Sequence, residues 1–264
     1  MSRWIVSTIP PWLLLLGLIV IISGGSVLLG IALRKRFPRI TQDEHNDALR
    51  FGYGVIGFVY AFFIGFVVSA MWGQINDADS LARTEGAAGV QLARDASVFD
   101  QADSDRIRNS LLSYERAAVA EWPMVARGQS LPEADQAMAT LYRTFQELTP
   151  RTDIQKAFLS TSLGNLDKIS QSRTARIIEG NNDAGPTWPL WAVIVLTSGL
   201  VMGCTIVYGV EKPAMHYPMV AIVGAMVAAN LFLVLELSYP FVGDISTSSE
   251  ALHRVVEVLT QPPS

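Results

Sequence analysis

The chain has 264 residues, half of them hydrophobic and 17% charged, with a formal net charge of −4. That balance leaves no basic footprint for nucleic acid, and the single cysteine, Cys204, rules out an intrachain disulfide or a CxxC site. The charges cluster between four long apolar segments, which marks an integral membrane protein.

Pro11–Leu33 is the first apolar segment. It is too long for a signal peptide and ends in Arg34-Lys35-Arg36 without a small-residue cleavage site, so it is expected to remain as a helix. Thr41-Gln42-Asp43-Glu44 matches a capping box that would open a helix leading into the second segment, Gly52–Trp72. Each segment carries about the 20 apolar residues that a hydrocarbon core roughly 30 Å thick requires.

Gly57, Ala61, Gly65, Ser69 and Gly73 recur at every fourth position of this segment. They share one helix face, where missing side chains let another backbone come close, so they are expected to form a packing strip within the chain or between subunits.

The helix should continue past Trp72 to about Phe99, where acidic residues from Asp100 to Asp105 interrupt it. Ile107, Leu111, Tyr114, Ala118 and Trp122 then fall on one face, and Trp122-Pro123 should break that helix. Ala134, Met138, Leu141, Phe145 and Leu148 make a regular apolar seam. A further helix from about Asp153 to Glu179 is expected to bury Ile154, Phe158, Leu166, Ile169 and Ile177.

The turn Asn181–Pro186 returns the chain to the membrane through Trp188–Val210 and Met215–Leu237. In the last segment, Gly224 and Ala228 repeat the small-residue spacing, and Asn230 and Glu236 are the strongly polar groups. Ionisable groups in a membrane usually face a partner or cavity; Glu236 is a candidate for a pore-facing role or for an interfacial structural one at the span's end, and Asn230 for a pore-facing position or an interhelical hydrogen bond. Thr247-Ser248-Ser249-Glu250 resembles a second capping box, with an apolar stripe of Leu252, Val255, Val256 and Leu259 behind it. That helix should lie on the bundle or on the membrane surface.

The expected architecture is all-α: four transmembrane helices in a 2+2 arrangement around an extramembrane helical bundle. The boundaries are 1–73 for the first membrane pair, 74–187 for the bundle, 188–237 for the second pair, and 238–264 for a short amphipathic helix and tail. His45, His216 and His253 fall in separate connections without metal-ligand spacing. No nucleophile triad or phosphate-cradling glycine loop is present. The sequence therefore calls for no catalytic residue, cofactor or metal.

Glu44-His45-Asn46-Asp47, the aromatic and glycine-rich segment ending at Met71-Trp72, and the closing stretch Leu235–Asp244 together resemble the bacterial bestrophin-like membrane proteins. That family is named for its similarity to bestrophin anion channels. The resemblance covers nearly the whole chain and implies Glu44, His45, Asn46, Asp47, Pro240, Phe241 and Asp244 as motif positions. Where the family commonly has an Asp-Arg pair before Pro-Phe, this chain has Ser238-Tyr239.

Two functions are in competition. One is a homo-oligomeric channel or pore in the lipid bilayer. The other is a non-conducting scaffold or sensor whose bundle binds a protein partner, with the seam from Ala134 to Leu148 as the docking face. Arg34, Lys35, Arg36, Arg39, Arg50 and Lys212 in the short connections argue for both termini and the bundle on the outer side. The resemblance implies a bacterial plasma membrane and, with Arg83, Lys168, Arg173 and Arg176 near the insert's ends, the opposite orientation, since bestrophins place their large helical domain in the cytosol.

Overall fold

The computed structural model describes residues 2–36, 46–181, 185–207 and 213–261. Every regular element among them is a helix: α1 (Ser2–Thr8), α2 (Pro11–Ile19), α3 (Gly25–Arg36), α4 (Asn46–Asp95), α5 (Gln101–Val125), α6 (Pro132–Gln146), α7 (Asp153–Asn181), α8 (Trp188–Val207), α9 (Pro213–Glu236) and α10 (Glu250–Thr260). A π-helical turn, Val20–Gly24, joins α2 to α3 without interrupting them. Four helices are long and apolar enough to cross a membrane: Pro11–Arg36, the apolar half of α4, α8 and α9. The Thr41–Glu44 capping box and the turn residues 182–184 lie outside the described residues.

The chain divides into two compact units. The first holds residues 1–73, 185–238 and 242–245. Its core is Tyr60, Ile64, Val67 and Met71 of α4, Ile194, Val201 and Ile206 of α8, and Val220, Val227, Ala228 and Val234 of α9. Polar links are few and cross between helices: the Ser198 hydroxyl donates to the Tyr60 hydroxyl at 3.3 Å, and the Ser23 hydroxyl donates to the Ala221 carbonyl at 2.9 Å. The π-helical turn brings Ser23 so near α9 that a Cβ on Gly224 would lie 2.8 Å from the Ser23 Cα. The small pair Gly224–Ala228 is therefore a seam inside the chain, with Ala228 fully buried.

The second unit holds residues 74–184, 239–241 and 246–264. Ile107, Leu111, Tyr114 and Ala118 are fully buried in it, and so is the face of α6 built from Ala134, Met138, Leu141 and Phe145. α10 packs on the same core through Leu252, Val255 and Leu259. Its seat is Gly86 and Gly89 of α4: a Cβ on Gly86 would come within 2.6 Å of the Ala251 carbonyl oxygen, so only glycine admits the α10 backbone there.

Three local expectations are corrected. α5 runs through Pro123 to Val125. A proline this near a C-terminus removes one hydrogen bond without a full turn to disrupt beyond it. Ile154 is 64% exposed, because it lies off the inward face of α7, which buries the expected Leu166 and Ile169 together with polar Ser162, Asn165, Ser172, Arg173 and Arg176. α10 begins at Glu250 with Ser249, not Thr247, in the cap position. Thr247 is buried, and its N–H donates to the Pro240 carbonyl at 2.8 Å.

Candidate functional site

The small-residue strip on α4 does not pack within the chain. A Cβ on Gly57, Gly65 or Gly73 would meet nothing within 4 Å. Ala61 and Ser69 are likewise exposed. Beside the strip, Phe58, Phe62 and Phe66 are 73%, 72% and 70% exposed, one helical turn apart. The opposite face, from Tyr60 through Met71, is the buried one. α4 thus presents an uncovered stripe of small residues along its apolar length, with three exposed phenylalanines beside it.

Glu236, by contrast, is fully buried at the end of α9, and neither carboxylate oxygen has a hydrogen-bond partner among the described residues. Gly243 covers it in a left-handed conformation (φ 90°), and a Cβ there would lie 2.7 Å from Glu236 Oε2 and 3.2 Å from the Val6 Cγ1 of α1. The residue therefore faces a lid of glycine and valine, not an open surface of the chain. Asn230 is half-buried on α9, and Asp244 is exposed. His216 is buried within α9, and His253 is exposed on α10. Glu44 and His45 lie outside the described residues, as do the side chains of Asn46 and Asp47. Ser238 is buried and so close to Gly185 that a Cβ on the glycine would lie 3.0 Å from the serine Cβ, which a bulkier residue at 238 would not allow.

Pro240 and Phe241 belong to the second unit. The Phe241 ring meets Trp122 edge-on at 6.0 Å, and the Arg176 guanidinium lies over the Trp122 ring at 4.8 Å from its centroid. Arg176 is fully buried and donates from Nε and Nη2 to Glu85 at 3.1 and 3.0 Å. The Tyr114 hydroxyl donates to the same Glu85 carboxylate at 2.7 Å. One turn earlier on α7, Arg173 donates to both oxygens of Glu121 at 2.9 and 2.6 Å and to Asp135 at 2.7 Å. Burial works against the Arg173 charge, but the hydrogen bonds it donates to Glu121 and Asp135 outweigh it and raise its pKa. For Glu85, well beyond the apolar segment, burial pushes the carboxyl up while the Arg176 charge pulls it back. The result is a dry, charge-paired centre running from Phe241 through Trp122 and Arg176 to Glu85, with Glu121 and Arg173 beside it.

A family model of the bestrophin-like domain matches residues 20–252, most of the chain. The chain belongs to the bestrophin-like family. Solved structures of the same fold include a variant of a bacterial bestrophin homologue from Klebsiella pneumoniae, 12% identical with a TM-score of 0.70, the match covering 95% of this chain and 99% of that one. A second variant of that homologue matches at 12% identity and a TM-score of 0.69, over 91% of this chain and 94% of that one. A structure described as a membrane protein matches at 13% identity and 0.68, over 91% and 97%. No curated protein matches the chain. At such identities the structural likeness establishes the fold.

Within this bestrophin-like fold, sequence reasoning missed the buried charges Glu85, Glu115, Glu121, Arg173 and Arg176. A signal was present in α7, where Ser162, Asn165, Ile169, Ser172, Arg176 and Gly180 keep helical spacing. Apart from Ile169 they are small or polar, a stripe that a count of apolar residues overlooks. The α6 seam, expected to be able to receive a partner, is filled by the bestrophin-like chain's own core.

Proposed function

We propose that this bestrophin-like protein is a homo-oligomeric membrane channel, with its four apolar helices crossing the bilayer in a 2+2 arrangement and residues 74–187 standing outside it. The uncovered stripe of α4 carries this reading. Glycines at four-residue spacing let backbones approach, and packing of that kind is a principal source of helix association in lipid. A single chain with four spans encloses no pore, whereas copies arranged about an axis through this stripe would.

The exposed tryptophans support the membrane placement. Trp12 and Trp188 open α2 and α8, Trp72 closes the apolar part of α4, and Trp4 stands just before α2. In a 2+2 arrangement these positions share one side of the bilayer, where tryptophan is enriched at the headgroup level. Arg34, Lys35 and Arg36 end α3 at the opposite side. Positive residues favour the cytoplasm, so the bundle falls on the outer side of a bacterial plasma membrane. A cysteine at exposed Gln129 is then expected to react with a membrane-impermeant reagent in intact cells. Labelling only after lysis would reverse the orientation.

Gly65→Leu tests the channel itself. Added bulk in the stripe should weaken each interface by about 1–3 kcal/mol, shifting the purified protein from oligomer toward monomer and abolishing ion flux in liposomes. Phe66→Leu, beside the strip, should leave assembly intact. A wild-type protein that is monomeric in detergent and silent in liposomes would sink the proposal.

A further inference from the structure

Among the described residues of the second unit, one buried acid has neither an ion pair nor a hydrogen bond. Glu115 of α5 is fully buried, and both of its carboxylate oxygens lack a hydrogen-bond partner. The space it occupies is made by Gly89 of α4: a Cβ there would lie 2.6 Å from Glu115 Oε1 and 3.1 Å from both γ-methyls of Val255 on α10. The carboxyl group therefore sits directly beneath the C-terminal helix, roofed by Val255.

The surrounding charges fix what state it can hold. From α4 it faces Glu85, and from α7 it faces Arg176. On its own helix the neighbours are Tyr114, whose hydroxyl is committed to Glu85, and Glu121, committed to Arg173. α10 turns Leu252, Val255 and Leu259 inward with Val258 packed beside them, its Leu259 carbonyl accepts from Arg108 at 3.2 Å, and Glu250, His253, Arg254 and Glu257 are exposed. Both buried guanidiniums are already matched by Glu85 and Glu121. An ionised Glu115 would be a buried carboxylate in excess of Glu85 and Glu121, which already match the two buried cations, and it would have no hydrogen bond among the described residues.

We propose that Glu115 is a proton-operated latch for α10: as a neutral acid it lets the helix dock on Gly86 and Gly89, and as a carboxylate it drives the helix off. α10 is the element that yields. It is only 11 residues long, is held by three buried side chains, and is the last helix among the described residues. α4 and α5 are long and cross-linked through Tyr114 and Glu85. Burial first, and the Glu85 charge second, push the Glu115 carboxyl well above the ordinary carboxylate range, with Arg176 opposing. The sign follows: the docked state is favoured at low pH, and that preference is lost as pH rises through the folded-state pKa.

The test uses the full-length protein in nanodiscs, with Cys204→Ala and a nitroxide spin label at Arg254→Cys, an exposed α10 position. Label mobility is followed from about pH 5 to about pH 10, a range that spans documented buried-glutamate titrations. The mobile fraction is expected to rise about tenfold across a single transition in the parent, and to stay low throughout in Glu115→Gln, which is neutral at every pH. Gly86→Val, which unseats α10 sterically, supplies the mobile reference spectrum. A flat parent profile would overturn the latch. So would a transition that persists in Glu115→Gln, because it would then belong to another group such as His253. Should Glu115→Gln not fold, infrared spectroscopy of the parent decides. A carboxylic-acid C=O band that disappears in step with the mobility rise supports the latch, and its absence at the acid end refutes it.

Discussion

Arg176→Met is expected to cost about 3–5 kcal/mol, because it strands buried carboxylates without their counter-ion. Glu85 would keep the Tyr114 hydrogen bond but lose both guanidinium contacts, and Glu121 would lose a second cation 3.9 Å away. Stacking over Trp122 would also go, and with it the link to the Phe241 ring. A loss of that size is a large share of the roughly 5–15 kcal/mol that holds a typical domain together. Thermal unfolding followed by circular dichroism, together with the yield of folded protein, measures it. The double variant Arg176→Met/Glu85→Leu should recover much of the loss, since replacing a whole buried ion pair by apolar groups is often close to neutral. If the single change costs less than about 1 kcal/mol, the centre is hydrated and not the dry pair described above.

Gly180→Val should be about as damaging by a different route. A Cβ at this position of α7 would run into the Val125 carbonyl at the end of α5, and also into its Cγ1. The obstruction is backbone, so no side-chain rotation relieves it, and helices α5 and α7 must separate. Changes of this kind belong to the exceptional class above about 4 kcal/mol. The neighbouring loop shows the same tightness: Gly128 takes a left-handed conformation (φ 62°) directly against Asn181. Gly164, in the same helix, is the control. It is exposed and a Cβ there meets nothing within 4 Å, so Gly164→Ala should stabilise by up to about 1 kcal/mol through lower backbone entropy in the unfolded chain. Equal tolerance of the two substitutions would mean that α5 and α7 do not approach as closely as described.

The two variants also separate what a linear reading reaches from what it does not. The buried stripes of α5 and α6 were legible, because apolar residues at helical spacing bury wherever a core is available, and Ile107, Leu111, Leu141 and Phe145 all do so. The inward face of α7 was not. Its partners lie 91 residues away for Arg176–Glu85 and 52 for Arg173–Glu121, and no local pattern announces a pairing across such distances. Without those partners, Arg173 and Arg176 read as ordinary solvated charges near the end of a helix. Ile154 was misassigned because the inward face of α7 mixes polar residues with Leu166 and Ile169, so its apolar residues alone do not trace that face.

Glycines divide in a comparable way. The strip on α4 was visible as a spacing, yet spacing does not say what lies opposite. A Cβ on Gly57, Gly65 or Gly73 would meet nothing within 4 Å, whereas Gly224, flagged by its spacing from Ala228, and Gly86, which no spacing flagged, admit a neighbouring backbone, and Gly89 makes room for the Glu115 and Val255 side chains.

By itself, the sequence determined the class of protein, the four apolar helices and, through its motifs, the bestrophin-like family. Helix length and apolarity are set residue by residue against water or hydrocarbon, so they need no knowledge of neighbours. Tertiary structure alone decided which face of α4 stays uncovered, why Glu236 lies under Gly243, and how Glu115 comes to sit unpaired beneath α10. Those properties depend on which distant groups arrive beside each residue. A charge or a glycine takes its energy from that company and not from its place in the chain.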